Sequence, residues 1–300
     1  MPLDSAQIQK SVRKLRKLLK KAPKRPTPDQ VHDFRTHTRR FEATLEALAL
    51  DSKRNERRLL RDLARLRKRA GKVRDMDVLT GHTSSLHVDK EEDCQVQLLE
   101  YLGSTRYRHA KKLSLRMREN GPAVRRRLKR SAARLEKLLP EGGKNSSNGR
   151  TKAAAEAATE AAATALTLSR DLENPAALNK NNLHPYRLKV KELRDVLQLT
   201  DDPEHHEFLD ALGEVKDAIG EWHDWEELIA IAADQLDHGP GCKLPHELKQ
   251  VSARKYERAL GLANKVRRVF LGAGRARKHP SPGKHGLPRP VLEATAAIAS

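Results

Sequence analysis

Val31, Phe34, Thr38, Phe41, Leu45 and Leu48 recur three and four positions apart, the period that gathers side chains on one face of an α-helix. The start of that helix is also legible: Thr27 caps it, Pro28 suits the first helical position, and Gln30 completes a T-x-x-Q capping box. An earlier helix is predicted from Ser5 to Lys21, stopping before the proline-rich APKRPTPD. Leu59, Leu63, Leu66 and Ala70 predict the third, from about Asn55, which Gly71 bends or ends before VRDMDVL. A fourth covers about Lys90 to Glu119 and stops at Gly121-Pro122, and Val124 to Leu139 reads as a separate basic helix. EGGKNSSNGR reads as a flexible linker, and the alanine-rich stretch from Thr151 to Leu172 as helical. Helices follow from near Asn182, over about Glu204 to Leu236, and over about Pro245 to Leu271. The tail from Gly272 to Pro290, rich in Gly, Pro, Lys and Arg, is expected to be disordered.

These elements repeat. LHPYRLKVKELRDVL, from Leu183, lines up with VHDFRTHTRRFEATL, from Val31, so that His184 falls on His32, Arg187 on Arg35, Lys191 on Arg39 and Leu193 on Phe41. LGEVKDAIGEWHDWEEL, Leu212 to Leu228, lies on LARLRKRAGKVRDMDVL, Leu63 to Leu79, matching Gly220 with Gly71, Asp224 with Asp75 and Leu228 with Leu79. Tyr256, Ala259 and Leu262 then fall on Tyr107, Ala110 and Leu113. Three successive helices correspond in order, which implies two related helical bundles.

Composition agrees with an all-α fold. Charged residues are 33% of the chain and aromatics 3%, which suits helices packed by aliphatic side chains better than a sheet. The formal net charge of +20 attracts polyanions: nucleic acid, inorganic polyphosphate or an anionic membrane surface. Cys94 and Cys242, distant in sequence, make neither a zinc cluster nor a disulfide framework, and a reducing cytosol is the expected setting. MPLDSAQIQK lacks the apolar segment of a signal peptide, and no run of about 18 apolar residues predicts a spanning helix.

The charge is patterned. His32, Arg35 and Arg39 each follow an apolar position, Val31, Phe34 and Thr38; His184, Arg187, Lys191 and Arg194 follow Leu183, Tyr186, Val190 and Leu193. Each basic stripe therefore flanks the buried face. Unit charges ~6 Å apart repel by about 0.7 kcal/mol even in bulk water, and several-fold more beside a low-dielectric surface. Both stripes also begin near helix N-termini, where the macrodipole disfavours cations. A single such stripe reads as a solvated face whose stems lie along apolar neighbours. A second, carrying the same residue types at the same spacing, favours a docking surface on which a polyanion offsets the cost.

H-x-x-R followed by R-R on one helix, L-H-x-x-R-x-K-x-K-x-L-R on a later one, and each trailed by G-x-x-[RH]-D-x-[DE]-x-L, resembles the conserved histidine α-helical domain (CHAD). The resemblance covers most of residues 5 to 271, duplication included. It implies two antiparallel four-helix bundles with a basic groove or pore between them that binds inorganic polyphosphate, and an association with polyphosphate granules. The implied ligand residues are His32, Arg35, Arg39 and Arg40 in the first repeat, and His184, Arg187, Lys189, Lys191 and Arg194 in the second. The chain departs from the pattern at Glu42 and Glu192, carboxylates positioned to pair with Arg39 or Arg40 and with Lys189 or Lys191.

Other basic residues form a second rank. Arg67, Arg74, Lys216 and His223 lie on the third helix of each repeat or just after it, as lining residues or ordinary surface charge. Asp75 and Asp224 orient those side chains or, as the preferred reading, cap a helix after the glycine. Arg106 and Lys255 are matched by the repeat. Lys10, Arg13 and Lys17 run along the first helix, where a solvated face is expected. Trp222 and Trp225 read as packing residues and not a stacking platform. His205-His206, His82 and His87 have no zinc-like arrangement, so no metal is expected. VRRRLKRSAARLEK reads as a solvated charge run.

The expected function is polyphosphate binding without catalysis and without a cofactor, in the cytoplasm and on polyphosphate granules. His32 and His184 gain charge as pH falls, so affinity is expected to rise below about pH 6.5. The alternative is non-specific RNA or DNA binding, which the charge supports equally. Against it stand the few aromatics and the absence of any RNP, zinc-finger or oligonucleotide-barrel signature. Enzymatic action on phosphate chains is not expected, because neither the E-x-E-x-K pattern of triphosphate tunnel enzymes nor a Walker loop is present. A membrane partner is not expected, and the oligomeric state is not legible.

Overall fold

Four helices meet around one apolar interior in the N-terminal part of the chain, and four more do so in the C-terminal part. The structure, a computed structural model, describes residues 5–47, 50–86, 92–138, 163–174, 177–197, 206–237 and 242–272. All regular structure among these is helical: α1 (Ser5–Lys21), α2 (Pro28–Ala47), α3 (Arg54–Ser84), α4 (Glu92–Leu138), α5 (163–173), α6 (Lys180–Leu197), α7 (His206–Gln235) and α8 (Leu244–Val269). The chain divides into two units, one of Pro2–Gly143 with Ala232–Leu244, the other of Lys144–Ile231 with Pro245–Ser300. The predicted linker at 141–150, the start of the alanine-rich helix and the basic tail lie outside the described residues.

In the first unit α1 and α3 each pack on both α2 and α4. Leu48 lies outside the described residues, and the rest of the predicted stripes is buried: Val31, Phe34, Phe41 and Leu45 from α2 meet Leu59, Leu63, Leu66 and Ala70 from α3, with Leu15 and Leu19 from α1 and Leu113 and Leu128 from α4. A second apolar interior gathers Leu168 and Leu172 of α5, Leu183 and Val190 of α6, Leu212 and Ile219 of α7, and Ala259 and Val266 of α8. The described part of the alanine-rich segment thus supplies the opening helix of the second core. Trp222 joins that core with its ring centroid 5.5 Å from that of Tyr256. It packs, as expected, and offers no stacking platform.

Helix α2 starts through the capping box read from the sequence: Gln30 N donates to Thr27 Oγ1 at 3.2 Å, and Thr27 N donates to Gln30 Oε1 at 3.1 Å. The chain leaves α1 through Ala22, whose φ of 34° is rare for a residue with a Cβ. Ala22 is nevertheless buried, and its carbonyl accepts from Ser114 Oγ at 3.3 Å.

The expected stop at Gly121-Pro122 does not exist, and of the two outcomes open at Gly71 an end is ruled out. Helix α3 runs through Gly71, and α4 continues through Gly121-Pro122 to Leu138. Proline inside a helix costs roughly 3 kcal/mol. Burying Met117 before it and Val124 and Leu128 after it, at about 1.5–3 kcal/mol each, outweighs that cost. Gly121 contributes by its lack of a side chain, since a Cβ there would lie 3.2 Å from the Leu19 carbonyl oxygen of α1. The segment VRRRLKRSAARLEK is consequently the second half of α4 and not a helix of its own. Part of its charge is tied inward: Arg127 pairs with Asp62, and Arg134 Nη1 donates to Glu56 Oε2 at 3.1 Å, Glu56 being only 1% exposed.

His37, on the α2 face toward α1, is buried with Nδ1 3.2 Å from Ser11 Oγ. Burial and the nearby Lys14 hold its pKa below the ordinary value, only partly opposed by Asp33. The unfolded chain therefore binds this proton more tightly than the folded one. Stability is retained above the unfolded pKa of about 6.5 and declines as pH falls below it. The urea midpoint is expected to drop between about pH 7.5 and about pH 5, and to drop less in His37→Gln. An identical pH response in the variant would remove His37 from this account.

Candidate anion-binding faces

In each unit an arginine from the basic stripe reaches across to the next helix and lies against a glycine. Arg35 follows the buried Phe34, so its stem runs beside the core and its guanidinium meets α3 at Gly71. A Cβ built on Gly71 would stand 2.6 Å from Arg35 Nη1, inside the distance any carbon atom allows. Arg187 does the same at Gly220, where a Cβ would lie 3.0 Å from Nη2 and 3.1 Å from Nε. Its Nε donates to the Lys216 carbonyl at 3.0 Å, the carbonyl one helical turn before the glycine.

The second unit has another such seat. Arg194 Nε donates to the Leu209 carbonyl at 3.3 Å and lies 3.4 Å from where a Gly213 Cβ would be. Arg194 is one heptad after Arg187 on α6, and Gly213 one heptad before Gly220 on α7, so these helices run antiparallel. In the first repeat the matching positions are Glu42 and Ala64, and both partners have changed together. Glu42 pairs neither with Arg39 nor with Arg40, as the sequence suggested, but with Arg67 across the α2–α3 interface at 3.1 Å. Burial pushes the Glu42 carboxyl up while Arg67 pulls it down.

The charge around the seats is concentrated. Burial lowers the pKa of Arg35; Arg39, Arg67 and Arg74 act on it in the same direction, and Asp75 opposes them. Asp75 and Asp224 lie well inside α3 and α7, which overturns the capping reading; Asp75 acts as a counter-charge to Arg35. His184 and His223, one from α6 and one from α7, have ring centroids 4.7 Å apart. His184 Nδ1 is buried without a hydrogen-bond partner. Burial, His223 and Arg187 all depress the His184 pKa. His32, its repeat mate, is exposed, with Nε2 3.4 Å from Thr36 Oγ1.

Comparison with known proteins identifies the family. The CHAD domain family profile matches residues 6–233. The chain belongs to the CHAD family. It is similar in fold to the crystal structure of the CHAD domain from the plant Ricinus communis, with a TM-score of 0.59, 16% identity and 91% of each chain covered. No curated protein matches the sequence.

The remaining basic residues of this CHAD chain divide by partner. Arg39 and Arg40 are exposed on α2, and no ion pair joins them among the described residues. Lys189 turns to α5, where Nζ lies 2.8 Å from Asp171 Oδ2, off the stripe that faces α7. Lys191 pairs along α6 with Asp195 at 3.8 Å, so neither lysine is engaged by Glu192 as the sequence suggested. Lys216 pairs with Asp217 at 2.9 Å and Lys255 with Glu221 at 2.7 Å. Arg106 is held by Asp77 and by the Pro26 carbonyl at 3.0 Å, which uses much of its donor capacity structurally. Arg74 is half-buried beside Arg35, while Arg13 and Lys17 are exposed on α1. His205 and His87 lie outside the described residues. His223, Asp224 and Glu227 bring donor atoms within 4.8 Å of one another along α7, a grouping the sequence reading missed.

The glycine seats were also missed, although the signal was present. Matched arginines and matched glycines occur in both repeats, and Arg194 with Gly213 is exchanged as a pair for Glu42 with Ala64. Chemically, each face offers planar guanidiniums held against helix backbone beside other cations, donors suited to a chain of phosphate oxygens. In an imidazole NMR titration His184 is expected to titrate below about 6.5, and to move upward in His223→Asn and in Arg187→Gln. An ordinary midpoint that neither substitution shifts would contradict the described environment.

Proposed function

We propose that this CHAD chain binds inorganic polyphosphate without transforming it, using His32, Arg35, Arg39 and Arg40 on one face and His184, Arg187, Lys191 and Arg194 on the other. The CHAD family is associated with polyphosphate binding in general. The observation that carries the reading for this chain is the repeat-matched seating of Arg35 on Gly71 and Arg187 on Gly220. It fixes cations side by side at a cost that a polyanion would offset, through charge-assisted hydrogen bonds and release of counterions. Lys189, bound to Asp171 at 2.8 Å, has a lesser part in this proposal than Lys191, whose pair with Asp195 is long at 3.8 Å. So do Arg67, Arg106, Lys216 and Lys255, each already paired with a carboxylate.

The proposal takes in the duplicated antiparallel four-helix bundles and the basic groove or pore that the family resemblance implies, and places the protein in the cytoplasm on polyphosphate granules. Among the described residues no helix is long and apolar enough to cross a membrane. Polyphosphate is favoured over nucleic acid because it asks only for cations. Base recognition relies on stacking platforms, and Trp222 and Trp225 are both buried. The pH response follows from His184, which faces His223 and Arg187. Its added charge, and the affinity it brings, come at a pH below the ordinary histidine value.

The test is salt-dependent binding of long-chain polyphosphate to the wild type and to a variant with His32, Arg35, His184 and Arg187 all changed to alanine. Hydrogen bonds involving charged groups are worth about 1.5–3 kcal/mol each, so a loss of at least about 100-fold is expected, with a shallower salt dependence and unchanged helicity. Unaltered affinity would refute these faces. In competition at matched phosphate concentration, polyphosphate is expected to displace RNA; equal displacement would leave a non-specific polyanion binder. With Mg²⁺ present the polyphosphate chain length is expected to stay constant, and shortening would establish catalysis instead.

A further inference from the structure

The chain has two cysteines, and the fold sets them side by side. Cys94 is the third residue of α4, and Cys242 lies two positions before α8. Separated by 148 positions in sequence, they are joined by an S–H···S contact in which Cys242 Sγ donates to Cys94 Sγ at 3.3 Å. Their distance along the sequence says nothing about their separation in space. Neither is part of the basic faces, and both belong to the first unit, Cys242 within its segment Ala232–Leu244.

We propose that Cys94 and Cys242 are a reversible redox pair that closes to an intramolecular disulfide on reaction with an oxidised low-molecular-weight thiol. The sulfurs need to approach by only about 1.3 Å to reach bonding distance. The backbone at both ends suits such a movement: Cys242 lies outside any helix, and Cys94 in the first turn of one, where amides are not yet tied into the helical ladder. Both side chains are partly exposed, so a small disulfide can reach them, while their contact favours the internal bond over two separate adducts.

The chemistry balances as two thiol–disulfide exchanges. The thiolate of one cysteine attacks the small disulfide, forms a mixed disulfide and expels one small thiolate. The thiolate of the second cysteine attacks the protein sulfur of that mixed disulfide, forms the Cys94–Cys242 bond and expels the other small thiolate. The protein gives up two electrons and two protons, and the small disulfide takes both to become two thiols. In a reducing compartment the pair stays as thiols, and oxidation ties the segment leading into α8 to the start of α4.

The full chain is incubated with oxidised glutathione, quenched with N-ethylmaleimide and measured by intact-mass spectrometry and peptide mapping. A monomer lighter by about 2 Da is expected, carrying no maleimide and no glutathione, with Cys94 linked to Cys242 and the bond reversed by dithiothreitol. Cys94→Ser and Cys242→Ser each should leave one thiol that takes a single maleimide or a single glutathione and no internal bond. Two maleimides on the treated wild type would overturn the proposal. So would two stable glutathione adducts, or a disulfide found only between two chains.

Discussion

An arginine guanidinium set against a helix at a position without a side chain, end-on at Gly71 and face-on at Gly220, is the contact on which each basic face depends. Arginine is suited to the place: it is planar, weakly hydrated, and able to donate from Nε while its remaining N–H groups point elsewhere. At Gly220 that first donation goes to the Lys216 carbonyl, leaving the terminal nitrogens of Arg187 for a ligand. Ordering such a side chain costs up to about 2 kcal/mol of rotamer entropy. Because the cost is met on folding, it does not recur when an anion arrives.

The same contact explains a mid-helix glycine that otherwise only weakens α3 and α7, by about 1 kcal/mol relative to alanine. It also explains why the residue facing the third seat changes sign between repeats. Where Gly213 leaves room, α6 presents Arg194; where Ala64 fills it, α2 presents Glu42, which neutralises Arg67 instead. The two faces are therefore related but unequal. The first groups Arg39, Arg67 and Arg74 around Arg35, while the second has two seated arginines and a pair of adjacent histidines. Like charges act on Arg35 in the first face and on His184 in the second, a repulsion that an anionic chain would offset under the proposed function.

Local signals were read correctly from the sequence. Helix α1 spans Ser5–Lys21 as predicted, and the Thr27–Gln30 capping box forms, because both are decided within a few residues. The buried stripes of α2 and α3 followed from period alone. Misreadings arose wherever a second helix decided the outcome. Gly71 and Gly121 look like breakers in one dimension and are points of close approach in three. Lys189 has the right residue type near the right motif, but five positions after His184 it points to Asp171 on α5. The partner of Glu42 and the meeting of Cys94 with Cys242 likewise depend on packing, not on neighbours in the chain.

The central claim is that glycine seats position the arginines that bind anion, and the double variant Gly71→Ala/Gly220→Ala tests it most directly. Each new Cβ meets only the movable end of an arginine side chain, so the helices should persist and gain up to about 1 kcal/mol of propensity apiece. Polyphosphate affinity, measured at fixed salt beside an unfolding curve, should fall by at least about ten-fold as both guanidiniums are displaced. A variant that folds as well as the wild type and binds polyphosphate equally tightly would contradict the account.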